Sequence, residues 1–195
     1  MAHTDTFSRG ALADAVAIDQ DAVVFWIRSG LLEPVTRETR KHNRFTMREV
    51  RLAVLLKELR HLGLNVEAMR GLVASLRSAL EVYETLPRRN LGEVLLAVSD
   101  PDGDYLSRLA GTELTEAEAT RDLLMRGGTD VSQICRAIDF EDDHGTMAVT
   151  KDPSGQWVWV EPPAEGPIRH SSLIILNLGA LASGLKARLG GGAGQ

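Results

Sequence analysis

The chain has 195 residues, 44% of them apolar and 25% charged, which suits one larger domain or two small ones around a buried core. No apolar run approaches the roughly 18–20 residues of a membrane-spanning helix, and the single cysteine, Cys135, excludes an internal disulfide and argues against a Cys-based zinc or iron–sulfur site. The net charge of −5 hides an asymmetry: residues 1–80 carry 12 Lys/Arg against 9 Asp/Glu, and residues 81–195 carry 10 against 18.

Such a division suits a polyanion-binding N-terminal module joined to an acidic remainder. The opening MAHTDTFSRG has no apolar signal core, so a cytoplasmic protein without a membrane partner is expected. Cys135 falls at an apolar helical position, where a core role is the ordinary one.

In chain order, Ser8 is a candidate N-cap for a short helix over 9–16 with Leu12, Ala13 and Val16 inward. Asp19 can cap a second helix over 20–29, and the short link through Ala17 and Ile18 leaves room only for a tight turn. Gly30 supplies the left-handed residue after that helix, with Leu31 as the apolar residue following it. Two short helices so closely joined form a helix-turn-helix candidate. Pro34 then breaks the helical pattern, and residues 32–45 read as a small basic β-hairpin. TMRE (46–49) has the form of a capping box, opening a helix that runs to Gly63. Asn65 caps the next, in which Val66, Met69, Val73, Leu76, Leu80 and Tyr83 fall on one heptad seam suited to a partner helix. Pro87 ends it.

The weaker pattern beyond contains a strand and turn in LGEVLLAVSDPDGDY and two helices capped near Thr115 and Asp130. TMAVTKDPSGQWVWV reads as a hairpin around Pro-Ser-Gly, and EPPAEGP as a rigid loop. A strand to Leu176 is followed by a helix with Leu178, Leu181, Leu185 and Leu189 on one face. The fold class expected is mainly α with small β elements. A winged helix-turn-helix (7–64) leads into a connecting and dimerisation helix (65–87), then a small α+β domain (88–190) for sensing or assembly and a disordered tail (191–195).

The second helix is narrow enough for a DNA major groove. Val23, Trp26, Ile27 and Gly30 share its inward side; Gln20, Asp21, Val24, Phe25 and Arg28 are left outside or on the flank. Val24 can meet a thymine methyl and Gln20 can read adenine, while Asp21 either accepts from a cytosine amino group or turns away. Arg28 suits a phosphate. Arg37, Arg40, Lys41, His42 and Arg44 give the hairpin the cations of a DNA-binding wing, and Arg48 stands at a helix N-terminus where amides also favour phosphate. Trp26 is expected in the core.

With these residues in view, FSRGALADAVAIDQDAVVFWIRSGLLEPVTRETRKHNRFTMREVRLAVLLKELRHLGLNVEAMRGLV resembles the winged helix-turn-helix domain of MerR-family transcription regulators. The matching order is a two-helix reader, Gly-Leu-Leu-x-Pro, an arginine-rich wing closing on Arg-Phe-Thr, and a helix ending Leu-Gly-Leu, over about two fifths of the chain. The resemblance implies a homodimer on a near-palindromic duplex site. It also implies a bound effector and promoter distortion that presents DNA elements to RNA polymerase. Where the family usually has Arg-Tyr-Tyr-Glu, this chain has Val24, Phe25, Trp26 and Ile27, and Pro87 shortens the dimer helix. Trp-Ile-Arg-Ser-Gly is also similar to excisionase-type modules, so an architectural or recombination-directing DNA binder without effector control is the alternative.

In the acidic half, Trp157 and Trp159 alternate on one strand and form a candidate ligand pocket for an apolar cation, with core packing or a subunit interface as the competing reading. FEDDHG (140–145) lacks the further ligands a metal site needs and reads as a solvated turn. No nucleophile–base pair, phosphate loop or metal constellation supports catalysis. Neither an enzyme nor a cofactor is expected.

Overall fold

The computed structural model describes residues 6–35, 43–85 (79–85 as backbone only), 145–160 and 172–191. The expected wing tip at 36–42, the segments from 86 to 144 that include Cys135 and both helices near Thr115 and Asp130, the loop at 161–167 and the last four residues lie outside the described residues. The chain divides into two compact units, one formed by Met1–Val73 with Asp143–Gln195 and the other by Ala74–Asp142. The elements are β1 (Phe7–Ser8), α1 (Arg9–Val16), α2 (Gln20–Arg28), β2 (Arg44–Phe45), α3 (Met47–His61), α4 (Val66–Thr85), β3 (Thr146–Lys151), β4 (Trp157–Val160), β5 (Leu173–Asn177) and α5 (Leu178–Gly191).

Local chemistry sets the helix starts. The Ser8 hydroxyl accepts from the Ala11 N–H at 3.1 Å, the Thr46 hydroxyl from the Glu49 N–H at 3.3 Å and the Asn65 amide oxygen from the Ala68 N–H at 2.9 Å. Each satisfies a donor that the first turn would otherwise leave bare. Asp19 caps α2 through its backbone carbonyl, which accepts from Ala22 and Val23, and makes no side-chain cap bond. Gly30 (φ 72°) and Gly63 (φ 91°) take the left-handed conformation that lets the chain turn back, so that Leu31 N–H reaches Trp26 O at 2.8 Å and Leu64 N–H reaches Leu59 O at 3.0 Å.

Three expectations gain detail. Of the expected wing, β2 pairs antiparallel with β1, Phe7 opposite Phe45, and Val35 N–H donates to Arg44 O at 2.7 Å, joining the two sides of 32–45 at their base, with 36–42 outside the described residues. Pro34 has no N–H to offer a ladder, and burying Phe45 against Phe7 favours the N-terminal partner. The capping box is modified, because the Glu49 carboxylate accepts from the Glu33 N–H at 2.7 Å and so ties the start of α3 to the chain leaving α2. In α5 Leu178, Ala182 and Leu185 are deeply buried and Leu181 and Leu189 half-buried, so none of the four expected leucines is exposed.

α3 is the centre of the larger unit. Leu52 to Leu56 are all buried, a run that covers more than one face, because α1 packs on one side and α5 on another. Leu12, Val16, Val23, Trp26, Leu31, Leu32 and Phe45 complete the N-terminal core. The C-terminal part of this unit is an antiparallel sheet in the order β4-β3-β5, with Val149 between Trp159 and Ile174. Its β3–β4 turn is held by Asp152, whose carboxylate accepts from the Ser154 hydroxyl at 2.6 Å and the Gln156 N–H at 2.9 Å. These two bonds, the Ser154 one first, hold its carboxyl below the ordinary aspartate value. Leu178 N–H donates to Gly145 O at 3.2 Å, joining the start of α5 to the start of the sheet.

Candidate nucleic-acid interface

A nine-residue α2 that buries Val23 and Trp26 must turn its opposite side outward at about 100° per residue. Asp21 and Arg28 sit at the middle of that exposed side, with Gln20 and half-buried Val24 on one flank and Phe25, 43% exposed, on the other. Trp26 is 1% exposed, which places it in the core, and its indole N–H has no hydrogen-bond partner. The charges on α2 follow its dipole: Asp21 lies in the first turn and Arg28 in the last. Asp21 therefore has a helix-stabilising role whether or not it meets a base.

Cations that sequence reasoning passed over surround this helix. Arg9 Nε donates to the Gln20 side-chain oxygen at 3.3 Å, so the Gln20 amide is presented together with a guanidinium from the first turn of α1. Arg60 lies 5.9 Å from the Phe25 ring centroid on the other flank, in cation–π range. Arg60 and Lys57 border a concavity of ≈ 800 Å³ that also includes the N-terminal turn of α2, Phe25 and Trp26. A three-residue spacing of cations on α3 (57 and 60) was the available signal, since it puts both on one helical face. Arg70 Nε donates to Ser29 O at 2.9 Å, capping the C-terminal end of α2 from α4.

Of the expected wing residues, Arg44 is exposed on β2, at the point where the Val35–Arg44 bond closes the wing. Arg48 is half-buried in the first turn of α3. Arg37, Arg40, Lys41 and His42 lie outside the described residues. The heptad residues divide. Met69, Val73 and Leu76 are buried within the chain and Val66 is half-buried, while the side chains of Leu80 and Tyr83 lie outside the described residues.

The two tryptophans of β4 both face α4 but do different things. Trp159 is buried and donates its indole N–H to Leu72 O at 2.9 Å. Trp157 is half-buried in a cavity of ≈ 370 Å³ bordered by Asn65, Glu67, Gly71 and Gln156, with Lys151 Nζ 5.5 Å from its ring centroid. Lys151 thus makes a cation–π contact with that ring within the protein itself. No helix of the described residues is long and apolar enough to cross a membrane.

Comparison with known proteins returns a family for the surface just described. Residues 7–76 match the family model described as MerR HTH family regulatory protein. No curated protein and no solved structure matches the chain.

Proposed function

From a chain whose residues 7–76 form the helix-turn-helix domain of MerR-family DNA-binding transcription regulators, we infer that the protein binds a near-palindromic duplex site as a homodimer. The outward face of α2 (Gln20, Asp21, Val24, Phe25 and Arg28) is the observation that carries this reading. Asp21 and Arg28 form its middle, Gln20 and Val24 one flank and Phe25 the other, with Arg9 bonded to Gln20 and Arg60 beside Phe25. Such a face reads bases in a major groove, while Arg44 and Arg48 hold phosphates alongside. The wing cations Arg37, Arg40, Lys41 and His42 add to that phosphate grip.

Met69 and Val73 are already consumed by packing inside the chain, so pairing of two copies falls to the part of α4 beyond Leu76, where the heptad continues with Leu80 and Tyr83. The acidic C-terminal segments sense an effector or complete the assembly, and RNA polymerase is the partner that reads the distorted promoter. The protein is not an enzyme on this reading.

The test is selection from a randomised duplex pool at near-physiological salt, with the oligomeric state measured in parallel. One enriched inverted repeat, bound by a dimer, supports the reading and gives the operator. Tandem or unpaired half-sites replace it with an architectural role, and no enrichment at any salt removes DNA as the partner.

A further inference from the structure

The last four carbonyls of a helix have no partners inside it, and in α1 those groups form the turn that sets the direction of α2. Ala17 adopts a left-handed conformation (φ 57°) that alanine rarely takes, and its N–H and that of Ile18 reach back to Asp14 O at 3.1 Å and Ala13 O at 3.0 Å. Two carbonyls are left over by this closure. Val16 O accepts from Lys57 Nζ of α3 at 3.1 Å, and Ala15 O accepts from Arg188 Nε of α5 at 2.6 Å, across 173 residues of sequence. Both cations also lie at the negative end of the α1 dipole, which favours them there.

Arg188 reaches this point because α5 is itself anchored. Leu178, Ala182 and Leu185 are buried, α5 packs on α1 and α3, and its first turn is fixed by the Leu178–Gly145 bond. The guanidinium lies over Gly184, one turn earlier, where a Cβ would stand at an ordinary contact distance of 3.8 Å from an Arg188 Nη.

We propose that Arg188 is a positioning residue for DNA reading, which fixes the turn between α1 and α2 and so makes α5 part of the DNA-reading module. The inference rests on α2 being the reading helix. It gives Arg188 no contact with DNA: the side chain acts by holding the Ala15 carbonyl and, through it, the angle at which α2 leaves the turn.

The test uses the full chain and its Arg188→Met and Arg188→Lys variants, on the duplex enriched from the pool and on a scrambled duplex of equal length, over a range of salt. Arg188→Met is expected to lose about three- to tenfold in affinity for the enriched duplex, the scale of a net charge-assisted hydrogen bond transmitted in part. Affinity for the scrambled duplex and the salt slope stay unchanged, because no phosphate contact is lost. Arg188→Lys recovers part of the loss. A loss of equal size on both duplexes overturns the proposal. With a slope lowered by about one it makes Arg188 a phosphate contact, and with an unchanged slope it makes Arg188 a fold residue only. Should Arg188→Met unfold at the assay temperature, Arg188→Lys decides by the same comparison of duplexes. An unmodified chain with no sequence preference overturns the reading of α2 and this inference with it. A preference that both variants keep in full overturns this inference alone.

Discussion

Arg44 and Val24 hold different parts in the proposed binding. Arg44 is exposed on β2 and projects from backbone that the Val35–Arg44 bond and the Phe7–Phe45 pairing hold in place. On the proposed reading this guanidinium meets phosphate, which is the same for every sequence. Arg44→Ala should weaken binding to all duplexes alike and lower the slope of log affinity against log salt by about one charge. An unchanged slope in a salt titration would remove Arg44 from the phosphate contacts. Gln20 and Val24 lie on one flank of the outward face of α2, the face proposed to read bases. Replacing either with Ala should change the enriched sequence at one or two positions and cost about 1–3 kcal/mol against the original site, while leaving the slope alone. Repeating the pool selection with each variant checks this, and identical enriched sites would mean that the reading face lies elsewhere on the helix.

Among elements, the helices were legible because their ends are set by local chemistry. Ser8, Thr46 and Asn65 are short side chains that can bond the first-turn amides, and Gly30 and Gly63 are the residues that turn left-handed without strain. What could not be read had no local signal. Two-residue β1 carries no alternation, Ala17 gives no hint of a positive φ, and Glu49 looks like half of a capping box until Glu33 N–H is found bonded to it. The outward face of α2 followed from its period, but Arg9 and Arg60 needed the packing of neighbouring helices before they could join it. Two glycines make the contrast measurable. A Cβ at Gly71, inside α4, meets nothing within 4 Å, and a Cβ at Gly63 likewise meets nothing, yet only Gly63 has a positive φ, of 91°. Gly71→Ala should therefore stabilise the protein by about 0.5–1 kcal/mol, through helix propensity alone. Gly63→Ala should destabilise it by about 1–2 kcal/mol, the cost of a left-handed alanine. Urea unfolding midpoints of the two variants, moving in opposite directions, check the argument. A common direction would mean that the positive φ of Gly63 does not set its response.

At the scale of the molecule, one compact unit is assembled from the two ends of the chain, Met1–Val73 and Asp143–Gln195. No composition shift or periodicity announced this, because contacts across more than a hundred residues leave no trace in local spacing. Among the described residues, the physical tie includes three connections. α5 packs on α1 and α3, Arg188 bonds the Ala15 carbonyl, and Trp159 donates to Leu72 O across 87 residues. If α3 owes its all-round burial to α5 as well as α1, the N-terminal helices cannot open independently of the helix that covers them. Native-state hydrogen exchange should then show the amides of α1, α3 and β3 losing protection through a common opening, with the same free energy and the same denaturant dependence. The rival outcome is distinct: β3 amides exchanging through a lower-energy opening while α1 and α3 stay protected would make the sheet an appendage on a self-sufficient DNA-binding domain. A shared opening has a consequence for regulation. Any ligand that binds the C-terminal segment in the closed form stabilises the turn before α2 by the same free energy, so occupancy of that segment and readiness of the reading helix become linked quantities.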